Sequence, residues 1–490
     1  MSVFLFALLP VQIFRNSLDR KFSFTVNSAI LSLTMIKQTF SFTEKISHFF
    51  RILLPVFGAQ ISLEAIPFFG TVMAGQASPQ DLVGVAVGSS LWVPVFVGLC
   101  AILSSIIPLV AYHLGAGRNE EITPTVMQGV YLALLLSAGV ILLGYFAVPP
   151  ALKWTSLEPK AYDAAFGYLK AIAFGVPFLF LYTALRSFMD GVGQTRQTLW
   201  VTLTVIPING FFNWVLISGK LGFPALGGSG AGWAATLTYL CLFGFAVWMV
   251  RKRKAFQDYQ VFSSWPKPSL AAFKEQLAIG LPIGFAIFCE VSIFCVVTFL
   301  MSGYGTTITA AHQAAMNFSG LLYMVPLSIS MALTILVGYE NGARRYLDAR
   351  HYGNLGIGIA VVIALFFLAY LLIYNEQVAS LYSSDPIVKN LTLEFLVYAK
   401  FFFLVDAIAA PIQGVLRGYK DVRVTFLLAL FSYWVAGLPV GWFLATYTDM
   451  GPFGYWFGLV SGLTAGMIGL MWRLWIINKR QNQLIKKSMT

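Results

Sequence analysis

The stretch LPIGFAIFCEVSIFCVVTFLM, residues 281–301, has one charged residue, Glu290, in a run that is otherwise apolar or neutral. As a helix rising about 1.5 Å per residue, it is long enough to cross the roughly 30 Å hydrocarbon layer of a bilayer. A carboxylate at the centre of that layer costs roughly 2.5 to 3.5 kcal/mol, so an acid there marks an ion or substrate path unless neighbouring amides or hydroxyls satisfy it. The stretch predicts a membrane helix with a functional acid.

A second acid, Asp406, lies in a comparable stretch, YAKFFFLVDAIAAPIQGVL at residues 398–416. The chain is 58% hydrophobic and only 11% charged, against roughly 25% charged residues in a soluble domain. Apolar runs of spanning length occur near residues 50–75, 82–114, 125–148, 163–188, 197–218, 229–250, 274–302, 308–338, 353–374, 391–416, 424–446 and 453–477. These runs are unlike the short alternating strands of a membrane barrel, so we predict an all-α membrane protein with about twelve transmembrane helices.

The formal net charge of +12 is distributed in a way that predicts the topology. Basic residues fall in alternate loops, at Arg118, Arg196, Arg251, Lys252, Arg253, Lys254, Arg344, Arg345, Arg350, Lys420, Arg423, Lys479, Arg480, Lys486 and Lys487. The loops between them carry chiefly Lys153, Lys160, Lys220 and Lys389. This positive-inside pattern predicts a multi-pass protein of the cell membrane with both termini in the cytoplasm. Because this pattern explains the net positive charge, we predict no nucleic-acid partner.

The chain carries an internal duplication. Landmarks of the first half recur in the same order in the second half, displaced by 227 to 231 residues: Pro55 with Pro282, Gly115 with Gly342, Tyr168 with Tyr398, and Leu185-Arg186 with Leu416-Arg417. This displacement covers about six helices, an even number, so both halves enter the membrane from the same side. Such parallel repeats form two pseudo-symmetric six-helix lobes with the substrate site between them, near the bilayer midplane.

The duplication predicts five segments. They are an N-terminal extension (1–34), an N-lobe with helices 1–6 (35–250), a cytoplasmic linker (251–273), a C-lobe with helices 7–12 (274–477) and a basic tail (478–490). The linker contains SSWPKP at 263–268 and is the natural hinge between the lobes. The extension has an apolar run of only about 13 residues, too short to span a bilayer. We therefore expect the native protein to start at Met35; an interfacial helix is the alternative.

Several stretches resemble one family of transporters. They are AAHQAAMNFSGLLYMVPLSISMALTILVGYENGAR (310–344), NGFFNWVLISGKLGFPALGGSGAGWA (209–234) and LRGYKD (416–421). From about residue 45 to residue 477 the chain is similar to the multidrug and toxic compound extrusion (MATE) family, in particular its NorM-like branch. The resemblance implies a two-lobed antiporter of twelve helices that exports cationic or amphipathic drugs in exchange for Na⁺ or H⁺.

The resemblance also implies site residues. An acid of the seventh helix and one of the tenth helix serve ion coupling or substrate binding in the family, and they match Glu290 and Asp406. An amide pair of the fifth helix matches Asn209 and Asn213, whose functional role competes with a packing role.

One departure from the family concerns the first helix. The family's aspartate there is replaced by Gly70 in FFGTVMAG, residues 68–75, which puts an N-lobe cation site in doubt. Glu64 lies about 240° around the helix from position 70, so it does not simply replace that side chain. In the repeat alignment Glu64 nearly mirrors Glu290, and the two form a candidate pseudo-symmetric pair of carboxylates. Local hydrogen bonding is the alternative role for Glu64.

Two further residues and the chemistry of the acids complete the prediction. His312 and Gln313 are expected to line the cleft, with capping or packing as the alternative. A buried carboxylate can hold a proton, a sodium ion or a cationic drug, but hardly two of them together. Mutual exclusion of this kind couples two ligands to two states, which is the basis of antiport. We predict Na⁺ binding at Glu290 and Asp406, or protonation there, and no other cofactor.

Alternatives follow from the same residues. A lipid-linked glycan flippase of the same superfamily would carry an anionic cargo and favour cationic cleft residues, whereas the buried charges here are acidic. A membrane receptor or scaffold would not need mirrored intramembrane acids. The chain has neither a His-Glu-x-x-His motif nor a nucleophile elbow, so we predict that it is not an enzyme. The glycines at 454, 458, 462 and 466 predict close packing within one lobe and a monomer, with a dimer face as the alternative.

Overall fold

The computed structural model describes residues 36, 38–155, 157–383 and 385–489, with side chains described as far as residue 483. In these residues twelve helices are long and apolar enough to cross a bilayer. They are α1 (Phe42–Ala77), α2 (Pro79–Gly115), α3 (Asn119–Trp154), α4 (Pro159–Gly191), α5 (Thr195–Ser218), α6 (Gly227–Lys252), α7 (Leu270–Ser302), α8 (Thr306–Gly342), α9 (Tyr346–Tyr382), α10 (Pro386–Gly418), α11 (Arg423–Tyr447) and α12 (Phe453–Met489). The predicted all-α fold with twelve spanning helices is confirmed. The predicted extension 1–34 and start at Met35 lie outside the described residues.

Short polar caps explain why the helices begin where they do. Ser41 precedes α1, and its hydroxyl accepts a hydrogen bond from the backbone N–H of Glu44 (3.1 Å), whose carboxylate bonds back to the N–H of Ser41. This reciprocal capping satisfies N–H groups that the first helical turn leaves free. Ser78 caps α2 in a related way, accepting from the N–H of Asp81 (3.0 Å), and Pro79 occupies the first helical turn, where no N–H is needed.

Several helices are irregular near their middle. The side chain of Ser104 in α2 bonds the carbonyl of Ala101 (2.7 Å), and that of Thr204 in α5 bonds the carbonyl of Val201 (2.6 Å), and both helices are broken there. Ser and Thr compete with the backbone ladder in this way. In α1 the break falls at Glu64, and α11 contains a π-helical stretch, Phe431–Gly437. Irregular backbone within a membrane helix is tolerated where protein buries it.

The twelve helices pack as two lobes. One apolar core joins residues of α1–α6 with the linker, and a second joins residues of α7–α12. The mirrored helices α3 and α9 lie at the outside, where side chains such as Leu143 (70% exposed) and Phe366 (68% exposed) point away from the protein. Exposed apolar side chains on a spanning helix are lipid-facing positions.

The lobes touch at one side of the bundle. Because the chain crosses the membrane an even number of times, both described ends lie on the same side, here called the terminal side. The lobes touch on this terminal side. A third apolar cluster, which includes Phe49, Ile107, Leu333 and Tyr352, joins α1 and α2 to α8 and α9 there.

A second contact between the lobes lies near the middle of the membrane helices. Where α2 crosses α7, Gly98 and Ile102 approach Gly284 and Gly280. Closer to the opposite side, Val95 of α2 and Cys295 of α7 are exposed. These contacts between the lobes therefore lie between the middle of α2 and α7 and the terminal side.

The predicted linker is held on the N-lobe. The amide of Gln128 in α3 donates to the carbonyl of Lys267 (2.9 Å) and accepts from the N–H of Ser269 (3.0 Å). The hydroxyl of Tyr131 donates to the carbonyl of Pro266 (3.1 Å). The segment predicted to be the hinge between the lobes is thus attached to α3, since its backbone groups find their partners there.

Candidate ion and substrate site

The two intramembrane acids of the C-lobe belong to one polar cluster. Asp406 of α10 is buried, only 4% exposed, while Glu290 of α7 is partly exposed. The phenol of Tyr323 in α8 interacts with the carboxylate of Glu290. Tyr433, from the π-helical stretch of α11, interacts electrostatically with both acids. The structure therefore brings together two carboxylates and two phenols from four helices.

The irregular stretch of α11 helps to position this cluster. The indole N–H of Trp434 donates to the carbonyl of Cys289 (3.2 Å), the residue before Glu290. The wider turn of a π-helix rotates the side chains that follow it, and such turns are frequent at functional sites. It places Tyr433, buried at 2% exposure, toward the acids while Trp434 ties α11 to α7.

Neither acid is neutralised by a salt bridge among the described residues. The described ion pairs within 4.0 Å engage other carboxylates. Arg417 of α10 interacts with Glu290 at longer range, and its guanidinium donates to the amide oxygen of Gln413 (3.3 Å) one turn earlier. Among the described residues, both carboxylates are thus without a cation within 4.0 Å.

The oxygen atoms of this cluster suit some ligands better than others. Carboxylates and hydroxyls favour hard cations over soft transition metals. In the described residues no group of three or more His, Cys, Asp or Glu side chains could hold a metal ion. The cluster therefore has the donors for a proton or for a sodium ion that it shares with phenols.

Glu64 is in a different setting. It lies at the break in α1 and is exposed, and it is not part of the C-lobe cluster. One turn before it, Gln60 accepts a hydrogen bond from the guanidinium of Arg186 in α4. Arg186 also lies 3.5 Å from the carboxylate of the buried Asp190. The mirrored turns after α4 and α10 pair Asp190 with Arg417 and Arg186 with Gln413, so the two arginines lie about one helical turn apart in the structural repeat.

The amide pair is buried inside the N-lobe. The Asn213 amide donates to both the side-chain oxygen and the backbone oxygen of Asn209, each at 2.8 Å. The Asn209 amide donates to the hydroxyl of Thr238 in α6 (3.0 Å), and both asparagines are fully buried. The Asn213 side-chain oxygen has no hydrogen-bond partner among the described residues. At Gly70 a Cβ atom would lie 3.6 Å from the Cβ of Ala231, so a side chain could begin there without a clash.

The structure separates the adjacent residues His312 and Gln313. His312 is fully buried, with its ring between Thr298 (3.0 Å) and the indole N–H of Trp456 (3.0 Å). Gln313 is exposed. Neither joins the Glu290 cluster.

Sequence reasoning missed the two tyrosines and the two arginines of these sites. Repetition of Leu-Arg at 185–186 and 416–417 was the available signal for the arginines. A tyrosine in an apolar helix gives no comparable signal, because interfacial and lipid-facing tyrosines are common in membrane helices.

The fold and this site define a class of protein: a two-lobed, multi-pass membrane transporter with acids buried in its helices. Comparison with known proteins agrees with that class. The MatE family model matches residues 55–215 and 282–443. The probable multidrug resistance protein NorM of Bacillus subtilis (strain 168) is 51% identical over 448 residues, which cover 91% of this chain and 99% of that protein.

Two solved structures share the fold. A eukaryotic MATE transporter, AtDTX14, superposes with a TM-score of 0.80 at 18% identity, covering 92% of this chain and all of that one. An outward-facing multidrug resistance MATE family transporter gives a TM-score of 0.81 at 16% identity, covering 89% and 96%. The chain belongs to the MATE family. The predictions of this family, and of a transporter rather than an enzyme, are confirmed.

Proposed function

We propose that this protein exports cationic or amphipathic drugs in exchange for Na⁺ or H⁺, by alternating access between its lobes. The observation that carries the proposal is the C-lobe cluster, in which Glu290 and Asp406 lie beside Tyr323 and Tyr433 without a salt-bridge partner among the described residues. The name of the Bacillus subtilis relative supports a drug cargo. The same acids disfavour a glycan flippase, whose anionic cargo they would repel.

Exchange follows from competition for the acids. A carboxylate removed from water is stabilised by any cation that reaches it, and a proton or sodium ion bound there cancels the attraction for a cationic drug. The partial exposure of Glu290 gives such ligands a route to the buried Asp406. Because each ligand favours a different state of the lobes, binding of one promotes release of the other.

The coupling ion is Na⁺ or H⁺, and the donors support either. Two carboxylates and two hydroxyls fit Na⁺, while a closely spaced pair of acids also shares a proton readily. The N-lobe contributes Asn209 and Asn213, whose neutral oxygens suit a cation but hold no charge. With Gly70 in place of the family's acid, ion coupling rests on the C-lobe.

Aromatic rings beside the acids suit an organic cation. Phe294, one turn after Glu290, and Phe402, one turn before Asp406, form an edge-to-face pair with ring centroids 5.6 Å apart. Aromatic faces attract cations and also cover the apolar parts of amphipathic drugs. Gln313 is the exposed amide proposed to line the cleft, and Glu64 the acid proposed for the N-lobe side.

The basic loops support an orientation. The loops rich in Arg and Lys lie on the terminal side, which we place in the cytoplasm. The contacts between the lobes then lie toward the cytoplasm, and a drug would leave on the opposite side. We also propose a monomer, because the small-residue stripe of α12 packs on α11 of the same lobe: Gly458 lies against Gly441, and Gly454 against Ala445.

The test is drug efflux from proteoliposomes with an imposed sodium or proton gradient. Glu290→Gln and Asp406→Asn each remove the charge and keep the shape, so we expect both to reduce efflux to background. Glu394→Gln, at an exposed acid about three turns earlier on α10, is the matched control and should transport normally. Wild-type rates in both variants of the cluster would overturn the site. Efflux under only one of the two gradients identifies the ion.

A further inference from the structure

The first turns of α1 cross the boundary between the lobes. By sequence α1 belongs to the N-lobe, yet Lys45 in its first turn is buried, 5% exposed, against the C-lobe. Its ammonium lies 2.9 Å from the carboxylate of Asp348 in α9 and donates to the backbone carbonyl of Thr39 at 2.9 Å. A charge this deeply buried needs its partner, because burial removes most of the water that would otherwise solvate it.

The surroundings fix Lys45 in this position. The hydroxyl of Tyr352 in α9 bonds the hydroxyl of Thr39 (2.9 Å) and the ring nitrogen of His48 (3.0 Å), and its ring lies 5.9 Å from the Lys45 ammonium. These contacts join three residues of the first repeat to two of the second.

Lys45 and Asp348 differ in the other charged residues that lie near them. Asp348 has a second cation nearby, since Arg345 lies 4.0 Å from it, although Arg345 pairs more closely with Glu340 (2.5 Å). Within the described residues, Lys45 forms an ion pair within 4.0 Å with Asp348 alone, and Glu340 acts on it only at longer range. Loss of the carboxylate is therefore the more damaging change.

The mirrored crossing at α7 has no ion pair within 4.0 Å among the described residues, although the charge of Glu275 acts on His113 of α2 at longer range. The first turns of α7 pack on the N-lobe, where the amide of Gln276 donates to the backbone carbonyl of Thr125 in α3 (2.6 Å). Thr125 and Tyr352 are equivalent in the repeat. The two halves thus use the same crossing, and within the described part of the chain the ion pair between the lobes lies at the α1 crossing.

We infer that the Lys45–Asp348 pair is a latch that holds the terminal side of the cleft closed and must break when the transporter opens to that side. The inference rests on the proposed alternating access. Separation of the lobes at α1 pulls the ammonium from the carboxylate, so the strength of this pair sets how often the terminal side opens. The fraction of molecules open to the terminal side changes by one order of magnitude for a modest change in the free-energy difference between the open and closed states.

The test uses a thiol reporter in a variant whose four native cysteines are replaced. Ala111 of α2 is fully buried and faces Gly338 of α8 across the lobe boundary, so Ala111→Cys reacts only when the terminal side opens. A membrane-impermeant maleimide is applied to inside-out vesicles, and the rate of modification is measured. With Asp348→Asn added, we expect the rate to rise roughly tenfold, as the population arithmetic of two states implies.

Two further variants make the outcome specific. When Lys45→Met is combined with Asp348→Asn, the reporter cysteine should be modified more slowly than with Asp348→Asn alone, because no unpaired buried charge remains. Asp421→Asn breaks the bidentate pair with Arg473 (2.6 and 3.1 Å), which lies within the C-lobe on the same side, and should leave the rate unchanged.

The inference is overturned if Asp348→Asn leaves the modification rate at the reference value, or if Asp421→Asn raises it equally. The readout does not require transport. If the latch fails this test, the efflux results for Glu290 and Asp406 still stand. If efflux is lost, the modification rates still report whether the terminal side opens.

Discussion

At the scale of single residues, the neighbours His312 and Gln313 have opposite environments. The indole N–H of Trp456 can only donate, so the His312 nitrogen facing it accepts, and the other nitrogen carries the proton and donates to Thr298. The ring is thereby held in one neutral tautomer within an aromatic cluster that includes Phe395. These contacts favour the packing role for His312 over the cleft-lining one.

His312→Phe tests that role. The change keeps the ring but leaves the Trp456 N–H and the Thr298 hydroxyl unpaired, and each buried unpaired group costs about 1–3 kcal/mol. We expect a clear drop in the thermal midpoint of the purified protein, with transport per folded molecule retained. Gln313→Ala, one residue away and exposed, should change the free energy of unfolding by less than about 0.5 kcal/mol. A normal midpoint combined with lost transport in His312→Phe would show that the ring acts on the substrate instead.

At the scale of elements, the turns after α2 and α8 are mirrored but use different residues. The backbone is left-handed in both, at Gly117 (φ 70°) and at Arg344 (φ 59°). The turns after α4 and α10 repeat this contrast, with Gly193 (φ 77°) and Lys420 (φ 61°). Glycine adopts this conformation without strain, whereas a residue with a Cβ pays roughly 1–2 kcal/mol. In the C-lobe both of these strained positions are occupied by a basic residue, Arg344 or Lys420, on the terminal side.

Arg344→Gly should therefore stabilise the protein. Relief of strain, offset by the larger entropy of glycine in the unfolded chain, leaves a gain of about 0.5–1 kcal/mol. The measurement is the thermal midpoint in detergent. The reverse change, Gly117→Arg, should lower the midpoint, since a Cβ there meets nothing within 4 Å and only the backbone strain counts. A loss of stability in Arg344→Gly would mean that the exposed arginine side chain contributes more than the strain costs.

At the scale of the whole molecule, the lobes meet through a symmetric crossing of α2 and α8. A Cβ on Gly115 would collide with the backbone of Tyr339, and one on Gly342 with the backbone of Tyr112. Lys420 of the C-lobe completes this contact, with its ammonium 3.9 Å from the centre of the Tyr112 ring. Burial lowers the pKa of Lys420, although the charge of Glu275 opposes that shift. Small residues at these equivalent positions allow the terminal side to close.

Locking this crossing should stop transport. A Cβ on Gly338 would lie 3.2 Å from that of Ala111, close to the separation of roughly 3.5–4.5 Å that a disulfide needs. In a variant without native cysteines, Ala111→Cys with Gly338→Cys should lose efflux on oxidation and regain it on reduction. Ala164→Cys with Gly228→Cys, where the corresponding distance is 3.1 Å within the N-lobe, should keep efflux after oxidation. Unchanged efflux in an oxidised cross-lobe pair would exclude alternating access at this crossing.

The sequence by itself determined the membrane setting, the twelve helices and the duplication. The length of an apolar run and the cost of placing Glu290 or Asp406 in hydrocarbon are local properties, readable without knowing what packs nearby. The duplication is likewise readable from the sequence, because its landmarks recur at a nearly constant spacing along the chain.

Only the tertiary structure decided which residues accompany the acids and where the lobes touch. Tyr323 and Tyr433 approach Glu290 from two other helices, α8 and α11, and Lys45 pairs with a residue about 300 positions away. Such partners depend on the crossing of helices and on side-chain direction, which an apolar pattern leaves undetermined. In a membrane helix nearly every position is apolar, so periodicity separates buried from lipid-facing residues only weakly, and packing between helices makes the choice.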